Sequence, residues 1–354
     1  MKALELRVGK QAAAKLASEG WNADLFDGLV GASGGPKWLM LGHMDRVLCT
    51  ELLASRTRAL PAVGSSVGSW RHALMAQPDP VAAIDRFEAA YLSQSYSSIK
   101  PKVPEITRVA SWLLRSGLGD EGDRHVANHP WLQSQVVTAR GLGLAKQRRG
   151  AGLVSGMALA GLGNTVSRRS LGLSFRRTVF IHEAAESQNA LFTDFHTEYV
   201  SLTEQNVFNA LMASGAIPYV FEAVTEIEGS PTGAHWDGGI LDYHFDLTRL
   251  PPDQIWLYPH FSKRVTIGWF DKFLPWRADR VPAVSGMVML CPTDEFLASL
   301  PFGKIPDRRD FGKMPEAERV TYWKRCVAES QRLADELHQL LAGSDPLAQA
   351  IIVE

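Results

Sequence analysis

Apolar and polar residues along this chain fall into short blocks whose period changes. Residues 10–19 (KQAAAKLASE) repeat apolar positions at helical spacing, and LFDGLVG (25–31) reads as a buried strand feeding a glycine loop. After Pro36 an amphipathic run extends to about Leu53, with the proline in the first helical turn, where its missing N–H costs nothing. PAVGSSVGSWRHALMA (61–76) predicts a strand, a tight turn and a helix. TVFIH (178–182), QIWLY (254–258) and GMVML (286–290) are rich in β-branched and apolar residues and predict further strands. Helical patterns separate them, so the expectation is an α/β fold around a mostly parallel sheet. The last long element, 315–342, places Val320, Trp323, Val327, Ala334, Leu337 and Leu341 on one face, with Gly343 as its stop. It reads as a packed surface helix whose stripe Ser330 interrupts.

Composition narrows the class. A chain of 354 residues with a 45% hydrophobic fraction has ample material for a core, and a net charge of −1 argues against a nucleic-acid binder driven by global electrostatics. Cys49, Cys291 and Cys326 are widely spaced and odd in number, which fits a reducing compartment without a disulfide framework. None forms a Cys-x-x-Cys pair, so a zinc site has no support; no cofactor is expected. The N-terminal MKALELRVGKQ has no apolar core of signal-peptide length, and the longest apolar run, Ala151 to Gly163, is too short to cross a bilayer as a helix. The expected location is cytoplasmic, with contact at a membrane surface left open by one segment. From Arg124 to His182 there is no Asp or Glu, yet Arg140, Lys146, Arg148, Arg149, Arg168, Arg169, Arg176 and Arg177 are present. Two readings stand side by side: a structural segment neutralised by acids elsewhere, or a lid that meets anionic lipid through 140–177. In VTIGWFDKFLPW (265–276) four aromatics lie close together, and core burial is weighed there against an interfacial anchor.

The candidate chemistry lies in two glycine loops, GASGG (31–35) and GSSVG (64–68), which both fit G-x-S-x-G. A serine hydroxyl needs a base within reach and donors for the oxyanion that forms. Ser66 is followed at once by a helix-like run, whose N-terminal dipole favours developing negative charge. Ser33 is followed by Gly34, Gly35 and Pro36, and bare glycine N–H groups suit a donor cradle. Proline has no N–H, which leaves Gly34, Gly35 and Lys37 as the oxyanion donors and Ser66 as the nucleophile. Asp237, followed by two glycines in HWDGGILDYHFD (235–246), sits on a turn able to present a carboxylate to another loop.

The order of these motifs is the specific signal: a glycine loop with a basic residue, G-x-S-x-G some thirty residues on, ASGAIPYVF (213–221), then D-G-G. It resembles the patatin-like lipid acyl hydrolases over residues 25–245. The resemblance implies a three-layer α/β/α sandwich with residues 246–354 completing a single domain over 1–354. It also implies a Ser66–Asp237 dyad, an oxyanion hole at Gly34 and Gly35, and a lipid or acyl-ester substrate. Two positions depart from the family pattern: Ser33 replaces its first glycine, and Trp38 replaces the glycine after the basic residue. A free carboxylate near pKa 4 is a weak base at neutral pH, so the site must desolvate Asp237. Trp70 and Trp236 are candidates for that dry wall, and Trp38 flanks the glycine loop. The alternatives are an esterase whose base is His235, His244 or His260, and a catalytically silent binding protein on the same fold. GASGGPKW lacks the ending of a phosphate loop.

Overall fold

Leu29 and Val30, ahead of the first glycine loop, lie in a strand buried at every position. In the computed structural model, which describes residues 1–185 and 190–353, that strand is one of ten: β1 (Leu4–Gly9), β2 (Gly28–Gly31), β3 (Leu60–Ser65), β4 (Leu132–Gly141), β5 (Phe175–His182), β6 (Thr197–Leu202), β7 (His235–Asp237), β8 (Trp256–Pro259), β9 (Met287–Pro292) and β10 (Ile351–Val353). They form one sheet in the order β10-β1-β9-β8-β2-β3-β4-β5-β6, with β7 paired to β4 off this path. The pairs from β9 through β8, β2 and β3 to β4 are parallel, as are β5–β6 and β1–β10. Antiparallel pairs join β1 to β9 and link β4 to β5 and β7. The sheet is therefore mostly parallel. β2, β8 and β9 are buried at every position, so helices and loops cover both faces there.

Sequence patterning placed helices at 10–19, after Pro36, after Ser66 and at 315–342, and the structure adds others, among them Pro80–Ser93, Val103–Leu118 and Gly150–Val166. Lys10–Glu19 is helical, and Gly20 ends it at φ 67°. The run after Pro36 changes pitch instead of forming one helix: 3-10 over Gly35–Met40, α over Gly42–Val47, π over Leu48–Leu52. The long helix Glu316–Ala342 buries Trp323, Val327, Ala334 and Leu337. Ser330 does not interrupt its stripe: it is fully buried, and its hydroxyl donates to the Val327 carbonyl at 2.7 Å.

The acid-free stretch contains two sheet strands, β4 and β5, around the helix Gly150–Val166. Several of its cations are neutralised by carboxylates from later in the chain. Arg177 is fully buried between Asp242 (2.6 Å) and Asp194 (2.8 Å), and Arg168 reaches the same two at 3.1 and 3.0 Å. Arg140 pairs with Glu198 at 2.6 Å. Lys146, Arg148, Arg149 and Arg169 are exposed. The segment thus divides into an ion-paired structural part and an exposed basic part.

Candidate active site

β2 and β3 run side by side and parallel, with Gly31 paired to Gly64, so both serine loops leave the sheet at the carboxyl ends of adjacent strands. That is where open parallel sheets present ligand sites. The two loops lock together through their glycines. A Cβ on Gly68 would lie 2.0 Å from the Gly31 carbonyl oxygen, and one on Gly31 would lie 2.7 Å from the Gly68 oxygen. The first glycine of one motif therefore makes room for the last glycine of the other.

The loops hold their serines differently. Ser66 stands at φ 53° and ψ −134°, a strained conformation for a residue with a side chain, immediately before the helix Val67–Met75. Its hydroxyl donates to Asp237 Oδ2 at 2.9 Å. Ser33 keeps a negative φ, and its hydroxyl shares a 2.7 Å hydrogen bond with Ser65 Oγ, which in turn donates to the Asp242 carbonyl. One serine faces a carboxylate and the other is tied into a structural chain of hydroxyls.

The ASGAIP segment fixes the spacing of the pair. Ser214 Oγ accepts from the Ser66 N–H at 2.9 Å and donates to the Val137 carbonyl at 2.7 Å, while the Ala216 carbonyl accepts from the Asp237 N–H at 2.8 Å. β7 pairs with β4 so that Thr138 faces Asp237. Gly238 has no room for a Cβ, which would lie 2.2 Å from the Val137 oxygen. The second carboxylate oxygen of Asp237 accepts from the Gly239 N–H at 2.7 Å. Burial raises the Asp237 pKa to about 6, against the lowering effects of the Gly239 N–H and the Ser66 hydroxyl.

Among the three tryptophans weighed from the sequence, only Trp70 lines a cavity at Ser66; its ring N–H donates to the Leu211 carbonyl at 2.7 Å. Trp236 alternates to the other side of β7, packs in a separate core and bonds the Ala145 carbonyl. Trp38 is buried against Phe87 and Tyr91. No histidine hydrogen-bonds Ser66 or Asp237 among the described residues: His235 contacts Thr138, His244 accepts from Thr266 N–H, and His260 contacts the Ser262 carbonyl. Burial lowers the pKa of all three.

The N–H groups of Gly34 and Gly35 donate to no protein carbonyl among the described residues, and these glycines line the two cavities that Ser66 borders. The Lys37 N–H already points at the Gly34 carbonyl, at 3.4 Å. One cavity, of about 200 Å³, has walls that include Val67, Trp70, Ile106, Leu113 and Phe221. The other, of about 120 Å³, includes Asp237, Tyr243, Trp269, Lys272 and Arg308. A wider depression of about 760 Å³, around Met75, Pro78 and His129, does not include Ser66. The site has residues that the motifs do not show: Tyr243, Lys272 and Arg308 reach it through tertiary folding.

A family model for patatin-like phospholipases matches residues 29–244, a segment holding both serine loops and Asp237. The chain belongs to this family. Comparison with curated proteins finds no match. Among solved structures, VipD from Legionella pneumophila aligns at 14% identity and a TM-score of 0.35, covering 100% of this chain and 75% of that one. The ExoU–SpcU complex from the type III secretion system of Pseudomonas aeruginosa aligns at 16% identity and 0.31, covering 91% of this chain and 53% of that one. Likeness at these TM-scores carries no argument. Within this member of the patatin-like phospholipase family, Lys272 and Arg308 fall outside the matched segment, as do β8, β9 and β10, which complete the same sheet.

Proposed function

We propose that this protein hydrolyses carboxylic ester bonds of lipids, whether phospholipid, lysophospholipid or acylglycerol, through a Ser66–Asp237 dyad and an acyl-enzyme. The observation that carries this reading is the 2.9 Å bond from Ser66 Oγ to a buried carboxylate beside an apolar cavity. Ser66 Oγ attacks the ester carbonyl carbon as its proton passes to Asp237 Oδ2. The oxyanion faces the free N–H groups of Gly34 and Gly35, and Lys37 adds its positive charge to that loop. Collapse of the tetrahedral adduct breaks the bond to the leaving alcohol, which takes the proton from Asp237. Water, deprotonated by the same carboxylate, then releases the acid and restores Ser66. A pKa of about 6 gives Asp237 a basicity closer to working pH than a solvated carboxylate has.

Intact-mass labelling with a fluorophosphonate tests this. One adduct is expected, on the peptide carrying Ser66, and Ser66→Ala removes it while Ser33→Ala retains it. An adduct on Ser33 reverses the roles of the two loops, and no adduct at all favours the silent binding protein.

Contact with an anionic membrane is part of the same proposal. The helix Gly150–Val166 exposes Val154, Leu159, Leu162 and Val166, and the neighbouring 269–276 segment exposes Phe273 and Trp276. The two are joined by Asn164 donating to Asp271 at 2.8 Å, and their residues Met157 and Trp269 line the smaller cavity. Lys146, Arg148, Arg149 and Arg169 supply the exposed charge. Arg168 belongs to the buried ion-pair network and takes no part. Each surface cation contributes on the order of 1 kcal/mol near an anionic bilayer at low salt. Replacing those four by Gln is therefore expected to weaken cosedimentation with phosphatidylserine vesicles at least tenfold, and raised salt to do the same to the wild type. Binding indifferent to both lipid charge and these substitutions removes the membrane from the proposal.

A further inference from the structure

Two cations, Arg308 and Lys272, line the smaller cavity that Ser66 borders, and Lys37 lies within electrostatic reach of both. Arg308 borders both cavities, and its guanidinium has no carboxylate or carbonyl partner among the described residues. Its Nη2 lies 3.8 Å from where a Cβ on Gly35 would sit, which puts it over the glycine loop. Lys272, exposed as a whole, brings its ammonium to 3.2 Å from the centroid of the Tyr243 ring. Among the described residues the Lys37 ammonium has one ion-pair partner, Asp307 at 4.0 Å, which is shared with Arg309 at 3.3 Å, and it lies 5.1 Å from the centroid of the Phe261 ring. Asp237, the carboxylate within the cavity, is already bonded to Ser66 and Gly239.

Asp307 and Asp279 lie within electrostatic reach of Lys37, yet no carboxylate bonds Arg308 or Lys272 among the described residues. Burial, then repulsion from Lys37 and Arg308, lowers the Lys272 pKa to about 7. Burial also lowers that of Lys37. Such an arrangement is costly unless an anion enters it, and charged groups perturbed by burial and by one another in a cleft are a feature of functional sites. The apolar cavity on the other side of Ser66 suits the acyl chain, so the anion belongs to the alcohol half of the ester.

We infer that Arg308, Lys272 and Lys37 form an anion subsite that receives a phosphate carried by the leaving alcohol, and so select phosphate-bearing acyl esters over neutral ones. This rests on the ester hydrolysis proposed above. Two of the three residues lie beyond the family-matched segment, so the selectivity is a property that the C-terminal third of this chain confers. A guanidinium fork pairs with two phosphate oxygens at once, and an ammonium adds a point charge.

The test uses the full chain with two esters of one acyl chain: lysophosphatidic acid, which carries the phosphate, and monoacylglycerol, which does not. The wild type is expected to favour the first by about tenfold or more in kcat/KM, as one charge-assisted hydrogen bond would give. Arg308→Gln and Lys272→Gln are each expected to cut that ratio roughly tenfold, mainly through KM. Glycerol 3-phosphate is expected to bind the wild type in calorimetry and to compete with substrate, and both variants to weaken it. Thermal melts of the variants establish that they fold. A wild-type ratio near one, or a ratio that neither variant moves, overturns the subsite and leaves the hydrolase reading standing. Inorganic phosphate binding as tightly as glycerol 3-phosphate, with no preference between the esters, assigns the cluster to free phosphate and overturns the leaving-group role. If neither ester is cleaved and no adduct forms on Ser66, the hydrolase reading itself fails, and calorimetry alone decides whether the cations hold phosphate.

Discussion

Asp237→Asn is expected to lower kcat by roughly 10²–10⁴-fold, because an amide cannot take the Ser66 proton. It is also expected to make the protein more stable. Burial raises the Asp237 pKa from 3.8 to about 6 in the folded chain, so its ionised form is held at a cost. At pH 8 that cost is about 1–3 kcal/mol, since one pKa unit corresponds to about 1.4 kcal/mol. The folded state binds more protons than the unfolded one between pH 4 and 6, so the cost is fully present above the folded pKa and relieved as pH falls through it. Asparagine at this position carries no charge at any pH. Melting curves should therefore show the variant a few degrees above wild type at pH 8, with the gap closing at pH 5. The same ionisation sets the acid limb of wild-type kcat/KM, which should fall as pH drops below about 6. Alanine at His235, His244 or His260 should leave kcat far less changed. A single histidine variant as inactive as Asp237→Asn, or an asparagine variant less stable than wild type at pH 8, would sink the dyad.

The second large effect is expected at a glycine that touches no substrate. In Gly68→Ala the new Cβ would meet the Gly31 oxygen at 2.0 Å and the Ala32 oxygen at 2.8 Å, both backbone atoms of the strand end facing the helix. One of the two loops must move away. Overpacking of this kind costs about 1–3 kcal/mol or more. A displacement of about 1 Å at reacting groups can cost 10²-fold in rate. Both losses are expected together in Gly68→Ala, read by a melting curve and by turnover of a soluble ester. Gly312→Ala is the control, since nothing lies within 4 Å of the added carbon there. Full activity in Gly68→Ala would show that the loops are not interlocked.

The same contact shows a difference between the two loops that the motif alone does not contain. Each loop contributes one of its motif glycines, Gly31 or Gly68, to their crossing, and only Ser66 of the two central serines stands at positive φ. Downstream of the two serines the structure differs: Ser66 enters a helix, and Ser33 is followed by Gly34 and Gly35, whose N–H groups donate to no carbonyl among the described residues. β8 and β9 were legible because they are apolar runs buried at every position, and β5 because TVFIH is rich in β-branched and apolar residues. β4 was not, because Gln133, Ser134 and Gln135 dilute its pattern while the sheet around it supplies the burial. The charge asymmetry of 124–182 was visible in the sequence, but its partners, Glu198, Asp194 and Asp242, come from later segments and only the fold assigns them. Arg308 and Lys272 carry no local signature for the same reason.

Ser214 and Ala216 hold the nucleophile and the carboxylate in place from a third part of the chain, and this has a consequence for biosynthesis. A ribosome that has released residues 1–185 has produced β3, the elbow and its helix, with neither the strut that bonds the Ser66 N–H nor the carboxylate that would take its proton. Even with β7 emerged, the central strand β2 still lacks its neighbour β8, and β1 waits for β9, whose Pro292 pairs with Leu4. A chain able to cut lipid esters is thus chemically silent through most of its translation. On the proposed dyad, reactivity arrives only when late segments close over a serine made early, and a truncated product carries the serine without the activity.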